Sequence, residues 1–280
     1  MFTAHTAELP GGPFHYQKGG SGPPILHLHP AAGPRISPVV ERLAARHTVF
    51  MPTAPGFNAT PMHASVKTMA DLAELMAAFA GEVIGGPCDV VAESFGGWVA
   101  LWLAAKHPDL VAQMVLQGPA GLRDPGTGGV PADPEARMRA LYSKPEHAPK
   151  ETRSAEVIAS TVRARDAYVN GIDFDVALSQ TLKDIKARTL VVMGTKDVVA
   201  PVIVAHRIMA GVANAHLSFI YGAAHALEFD APDRVGPLIA SFLERGEAFV
   251  VPSGADLTFA THPAANSRSE CQIQSSTSNS

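Results

Sequence analysis

The chain has 280 residues, 46% of them hydrophobic and 17% charged, with a formal net charge of −4. That is enough apolar material for one large domain with a sizeable core, which excludes a disordered chain. No Lys/Arg cluster is dense enough to form a nucleic-acid surface.

The N-terminus, MFTAHTAELPGG, has neither a basic leader region nor a long apolar run. Every apolar stretch is broken by Gly, Pro or charge before the roughly 18 residues that a membrane-spanning helix needs. A soluble cytoplasmic protein, monomer or homodimer, without membrane or nucleic-acid partners, is the expectation. Of the two cysteines, Cys88 opens an apolar run and reads as a buried thiol, and Cys271 lies in a polar tail. They form neither a disulfide framework nor a CxxC metal site.

Strand-like and helix-like segments alternate along most of the chain. FHYQKGG is a strand followed by a turn at SGPP, and residues 24–29 (PILHLH) form a short strand ending at Pro30. Residues 36–46 have helical spacing through Ile36, Val39, Val40, Leu43 and Ala44. Residues 47–52 are a strand. Residues 68–84 are an amphipathic helix with Thr68 as N-cap, Asp71 three positions on, and Gly85-Gly86-Pro87 as its stop. Residues 88–93 (CDVVAE) are a buried strand, residues 95–107 a helix ended by Pro108, and residues 111–117 another strand.

The pattern then breaks. Residues 118–184 hold Gly- and Pro-rich loops and two helical pieces, 135–143 and 152–169. Basic residues recur there (Arg153, Arg163, Arg165), but Glu156 and Asp166 interleave, so they read as a solvated helix face. Alternation resumes with a strand at 189–194, a helix at 201–212, a strand at 215–221 and a helix at 232–247. Such alternation implies a mostly parallel, doubly wound α/β sheet. Residues 1–120 and 185–250 are assigned to its core, residues 121–184 to a helical cap, and residues 262–280 to a disordered tail.

The chemistry centres on CDVVAESFGGWVALW. Ser94 stands between a buried strand and a helix, with Ala92, Gly96 and Gly97 as small neighbours. A nucleophile on a sharp strand-to-helix turn needs such neighbours, and the helix N-terminus favours developing negative charge. The plain alternative is that Ser94 only caps the helix. A serine nucleophile also needs a base and a carboxylate that orients it. Asp197 follows the strand 189–194 and His225 follows the strand 215–221, both at the strand ends where Ser94 lies. His107, His147 and His206 are worse placed, at a helix end, in the cap and mid-helix. His27 and His29 form an H-x-H pair, but no third ligand is near, so neither metal nor cofactor is expected.

Together these features resemble the α/β-hydrolase superfamily over residues 14–250. The order Ser94, Asp197, His225 is that of its triad. His29-Pro30-Ala31 is similar to its His-Gly-x loop, with Pro30 in place of glycine. The resemblance implies the N–H groups of Ala31 and Phe95 as oxyanion donors, each worth about 3 kcal/mol in the transition state. PTAPGFNAT (52–60) matches the loop after the fourth strand, with Thr53 and Asn58 replacing the usual acid and glycine. The function implied is a serine hydrolase acting on a carboxylic ester of a small or medium apolar substrate. GPAGL (118–122) is also similar to the hydrolases that cleave C–C bonds of meta-cleavage products. Those enzymes usually carry Asn and Trp where this chain has Glu93 and Ala226. A ligand-binding protein without turnover is the third possibility. Glu93, Leu122, Tyr142, Tyr168 and Phe174 are the candidate substrate-pocket residues, with Met138, Leu141 and Ile172 of the same apolar character. The apolar members could equally be the seam between cap and core.

Overall fold

The computed structural model describes residues 1–246. The C-terminal tail assigned above, with Cys271, lies outside them. Eight strands form one sheet: β1 (Thr3–Leu9), β2 (Gly12–Gly20), β3 (Pro24–Leu28), β4 (Thr48–Pro52), β5 (Cys88–Glu93), β6 (Val111–Gln117), β7 (Arg188–Gly194) and β8 (Ala215–Ile220). Their order is β1-β2-β4-β3-β5-β6-β7-β8. β3 to β8 run parallel, and the β1–β2 hairpin pairs antiparallel onto β4.

The central strands are buried on both faces, as a parallel sheet covered by helices requires. Helices α2 (Met69–Phe79), α3 (Phe95–Lys106) and α7 (Val202–Gly211) share a core with Leu26, Leu28, Val90, Ala92, Met114, Leu116, Val191 and Met193. The alternate residues, Ile25, Val91, Val115, Leu190 and Val192, are equally inaccessible. Against that face Val39 of α1 (Pro38–Ala44) meets Gly236 of α9 (Pro232–Arg245), where a Cβ would lie 2.8 Å from Arg42.

Local signals explain most boundaries. Thr68 and Asp71 form the expected capping box on α2, and Gly85 closes the wider final turn at φ 94°. Ser37 caps α1 by accepting the Val40 N–H, so Ile36 lies before the helix rather than in it. Between β6 and β7 the insertion holds α4 (Pro134–Leu141), α5 (Ala155–Val169) and α6 (Val176–Thr181). Two elements lacked a readable periodic signal: α6, and α8 (Leu227–Asp230), a single turn between His225 and α9. β1 was also illegible, because its outer residues are exposed and show no apolar alternation. Among the described residues no helix is long and apolar enough to cross a membrane.

Candidate active site

β5 ends at Glu93 and α3 begins at Phe95, so Ser94 alone makes the turn, with φ 52° and ψ −108°. A non-glycine residue held there costs on the order of 1–3 kcal/mol, and surrounding contacts must impose it. They are visible on three sides. Ser94 N–H donates to the Gln117 carbonyl (2.9 Å), and its own carbonyl accepts from Ala120 (3.0 Å) and Trp98 (3.2 Å). A Cβ on Gly96 would lie 2.2 Å from the Leu28 carbonyl, and one on Gly97 2.8 Å from Pro119. The small residues therefore let α3 press against β3 and the loop after β6.

Ser94 occupies the N-cap position of α3, yet its side chain makes no capping bond. Its Oγ lies 2.9 Å from His225 Nε2 instead. His225 Nδ1 lies 2.8 Å from Asp197 Oδ2. A carboxylate only accepts, so Nδ1–H donates to it and Nε2 is left to accept from the serine hydroxyl. Asp197 Oδ1 is fixed by the Val199 and Ala200 N–H groups at 2.8 and 2.9 Å. Asp197 thus organises its own turn, while Pro201 takes the N-cap position of α7. Ser94 is 8% exposed and His225 4%.

One residue escaped the sequence reading. Gly118, with φ 49°, approaches this array so closely that a Cβ would sit 3.0 Å from both Asp197 Oδ2 and His225 Nδ1. The glycine after a buried strand was the available signal.

His29 organises the neighbouring loop. Its Nε2 accepts from Ala54 N–H (3.1 Å), which leaves Nδ1–H to donate to the Pro30 carbonyl (2.8 Å). That ring is neutral: burial is the main cause that lowers its pKa to about 4. The same Pro30 carbonyl accepts from Gly33 N–H (2.9 Å), closing a turn across Ala31. Ala31 N–H lies outside that bond, and Phe95 N–H, first in α3, has no intrahelical acceptor. The H-x-H pair does not converge. β3 ends at Leu28, so alternation stops there. His27 turns its Nε2 to Glu228 Oε1 (2.8 Å), whereas His29 packs beside the Phe57 and Phe95 rings.

The five candidate pocket residues separate. Leu122 bridges to Phe174, whose ring lies under Arg207 at 4.9 Å. Arg207 also donates to the Leu122 carbonyl at 2.7 Å. These two residues form a seam against α7. Tyr168 is buried, donates to the Pro55 carbonyl (3.1 Å) and packs beside Phe57 and Phe95. Tyr142 is half-buried, and burial, with a contribution from Glu93, pushes its phenol up to about 12.

Glu93 is 3% exposed. Neither a salt bridge nor a hydrogen bond holds it among the described residues. Burial first, then the charges of Glu228 and Asp197, push its carboxyl well above the usual range. Glu228 is opposite in character. Its oxygens accept from His27, Gln117 Nε2 (2.7 Å) and Ser37 Oγ (2.6 Å). Burial opposes its ionisation, but these partners outweigh burial and hold it below the usual range.

Arg153 also departs from expectation. It is no solvated residue: its Nη1 donates to the Ala32 carbonyl (2.6 Å) and to Asn58 Oδ1 (3.2 Å). Arg163 is exposed and Arg165 pairs with Asp166, as a solvated face implies. Asn58 has φ 49°, so the position where the resemblance carries glycine is left-handed here too.

The model of the alpha/beta hydrolase family matches residues 19–237 of this chain. A curated relative, 2-hydroxymuconate semialdehyde hydrolase of Pseudomonas sp. (strain CF600), is 25% identical, over 83% of this chain and 90% of its own length. Among solved structures, a membrane phospholipase A superposes with a TM-score of 0.70 at 20% identity, covering 86% of each chain. Naproxen esterase from Bacillus subtilis does so with a TM-score of 0.69 at 16% identity, covering 87% of this chain and 92% of its own.

Proposed function

The chain belongs to the alpha/beta hydrolase family, and on that premise we propose that it is a serine hydrolase cleaving a carboxylic ester of a small or medium apolar substrate. The carrying observation is that Ser94, placed to cap α3, gives its hydroxyl to His225 Nε2 at 2.9 Å instead. In the proposed reaction Ser94 Oγ attacks the carbonyl carbon while His225 takes the hydroxyl proton. Asp197 holds the ring and its charge. The N–H groups of Phe95 and Ala31 receive the oxyanion. The tetrahedral adduct collapses as His225 returns the proton to the leaving alkoxide. Water then attacks the acyl-enzyme, giving its proton to His225, and the second adduct collapses as His225 returns that proton to Ser94 Oγ and the acid leaves.

A second reading is C–C bond hydrolysis of a meta-cleavage product. Relatives such as the Pseudomonas hydrolase, matched over most of their length, favour it. Glu93 and Ala226 stand against it, where the resemblance would carry Asn and Trp.

The test is covalent labelling by a fluorophosphonate, followed by a panel of short and long p-nitrophenyl esters, a lactone, an amide and a meta-cleavage product. Wild type is expected to label and to turn over at least one short ester. Ser94→Ala should abolish labelling and lower turnover by about 10⁴-fold or more. Folded wild type that does not label, or turnover that survives in Ser94→Ala, refutes the assignment. Preference for the meta-cleavage product selects the second reading. Saturable binding without product, unchanged in Ser94→Ala, marks a binding protein.

A further inference from the structure

Of the two residues flanking His225, one is tied to the insertion directly and the other through Asp230 of α8. Ala226 N–H donates to the Leu141 carbonyl at 2.9 Å. Ala224 N–H donates to Asp230 Oδ2 at 2.6 Å. The other oxygen of Asp230 faces the insertion: Oδ1 accepts from Ser143 N–H (2.8 Å), Ser143 Oγ (2.9 Å) and His147 Nδ1 (2.7 Å). One carboxylate thus collects four donors, one from the histidine loop and three from the segment after α4. Its side chain is 0% exposed. A buried carboxylate with this many donors is fixed in two dimensions rather than swinging about one bond.

The placement matters because these bonds lie beside Ser94 and His225, which are 8% and 4% exposed. The insertion thus meets the histidine loop directly at Ala226 and through Asp230 at Ala224.

We propose that Asp230 is a positioning residue for His225, coupling it through Ser143 and His147 to the insertion, so that the base is aligned with Ser94 only while the insertion is seated as a cap. This rests on the reading of Ser94 and His225 as nucleophile and base. Opening the cap breaks the Leu141 and Ser143 contacts, frees the loop 223–226, and uncouples Nε2 from the serine hydroxyl. Closing it over a bound substrate restores all of them together. The nucleophile is thereby activated when water has been excluded and not before. Electrostatics agree with the geometry: burial opposes the ionised form of Asp230, but the bonds from Ala224, His147 and Ser143 outweigh it and keep its pKa low.

The experiment is the rate of fluorophosphonate labelling, with kcat and KM for p-nitrophenyl acetate, in wild type, Asp230→Asn and the double variant Ser143→Ala/His147→Ala. Asp230→Asn keeps one acceptor oxygen and puts an NH2 donor in place of the other, so either Ala224 N–H or the Ser143 and His147 donors lose their acceptor. It is expected to slow labelling and kcat by about 10²-fold, with KM within about twofold. The double variant leaves the Ala224 bond intact and is expected to slow labelling about tenfold. Labelling endpoints separate misplacement from misfolding. A misplaced base slows the rate to a full endpoint, whereas loss of folded protein lowers the endpoint at an unchanged rate. That second pattern in either variant, or a wild-type rate in either, overturns the proposal. If Asp230→Asn does not fold, the double variant decides. Wild type that does not label at all removes the underlying reading, and the coupling falls with it. Labelled wild type with unaffected variants removes the coupling alone.

Discussion

Gly118 shows how little room the Asp197–His225 bond leaves. Its φ of 49° is already disfavoured for an L side chain, and its missing Cβ would press on Asp197 Oδ2 and His225 Nδ1 at 3.0 Å each. Gly118→Ala is therefore expected to act on chemistry more than on folding. The strained backbone accounts for about 1 kcal/mol or slightly more, but displacement of the imidazole by a few tenths of an ångström reaches the serine. The prediction is a fall in kcat of about 10-fold to 10²-fold with KM little changed, read by steady-state kinetics on whichever substrate of the panel the wild type turns over. A variant with full kcat and only a lower Tm would show that the contact is packing alone. The candidate residues Ser94, Asp197 and His225 were legible because each stands after an apolar run. Gly118 and Asp230 were not. Gly118 offered only its place after a buried strand, and Asp230, at the end of the single turn α8, offered no local signature of the donors it meets.

At the scale of elements, α5 is held to the loop after β4 by side chains answering backbone groups. Thr161 Oγ1 accepts from Asn58 N–H (3.0 Å), and Ser160 Oγ accepts from Ala59 N–H (2.9 Å). Asn58 and Ala59 both have positive φ, so their N–H groups cannot serve a ladder and need these acceptors. Thr161 is buried at 3%. Thr161→Val keeps its shape but leaves the Asn58 N–H unanswered, at a cost of about 1–3 kcal/mol. The expected loss in Tm is about 2–4 °C for each kcal/mol, measured by calorimetry, and Thr161→Ser should recover most of it. Equal melting of the valine and serine variants would show that the bond contributes nothing. The strands β5 and β6 were readable to the residue, since a strand buried on both faces is a continuous apolar run bounded by polar turns. α2 was readable through its capping box. β1, α6 and α8 were not, for they are short or exposed and their stability comes from what they pack on rather than from their own periodicity.

Across the whole molecule, burial of two carboxyls beneath the histidine loop makes stability depend on pH in two opposite ways. Glu228 has three donors and a folded-state pKa held down, so its contribution is present above the unfolded value of about 4.3 and is lost as pH falls through the folded one. Glu93 has no such donors and a folded-state pKa pushed up. Below about pH 4.3 it is protonated in both states and costs nothing by linkage. Above that value the unfolded chain ionises first, so the cost grows with pH until the folded-state pKa is reached. Glu93→Gln should therefore leave Tm nearly unchanged at pH 4 and raise it increasingly towards pH 8. Each unit of upward displacement corresponds to about 1.4 kcal/mol. Glu228→Gln should do the reverse, destabilising by roughly 1–3 kcal/mol near pH 7 because one of its buried donors, His27, Gln117 or Ser37, loses its acceptor, with the deficit shrinking in acid. Thermal melts of the three proteins from pH 4 to pH 8 decide it. Parallel curves for wild type and Glu93→Gln would mean that Glu93 is ionised in the folded protein, with its charge answered at the site. Divergence in the stated direction would mean that this chain carries a neutral acid next to Ser94, able to donate a hydrogen bond to a group bound there.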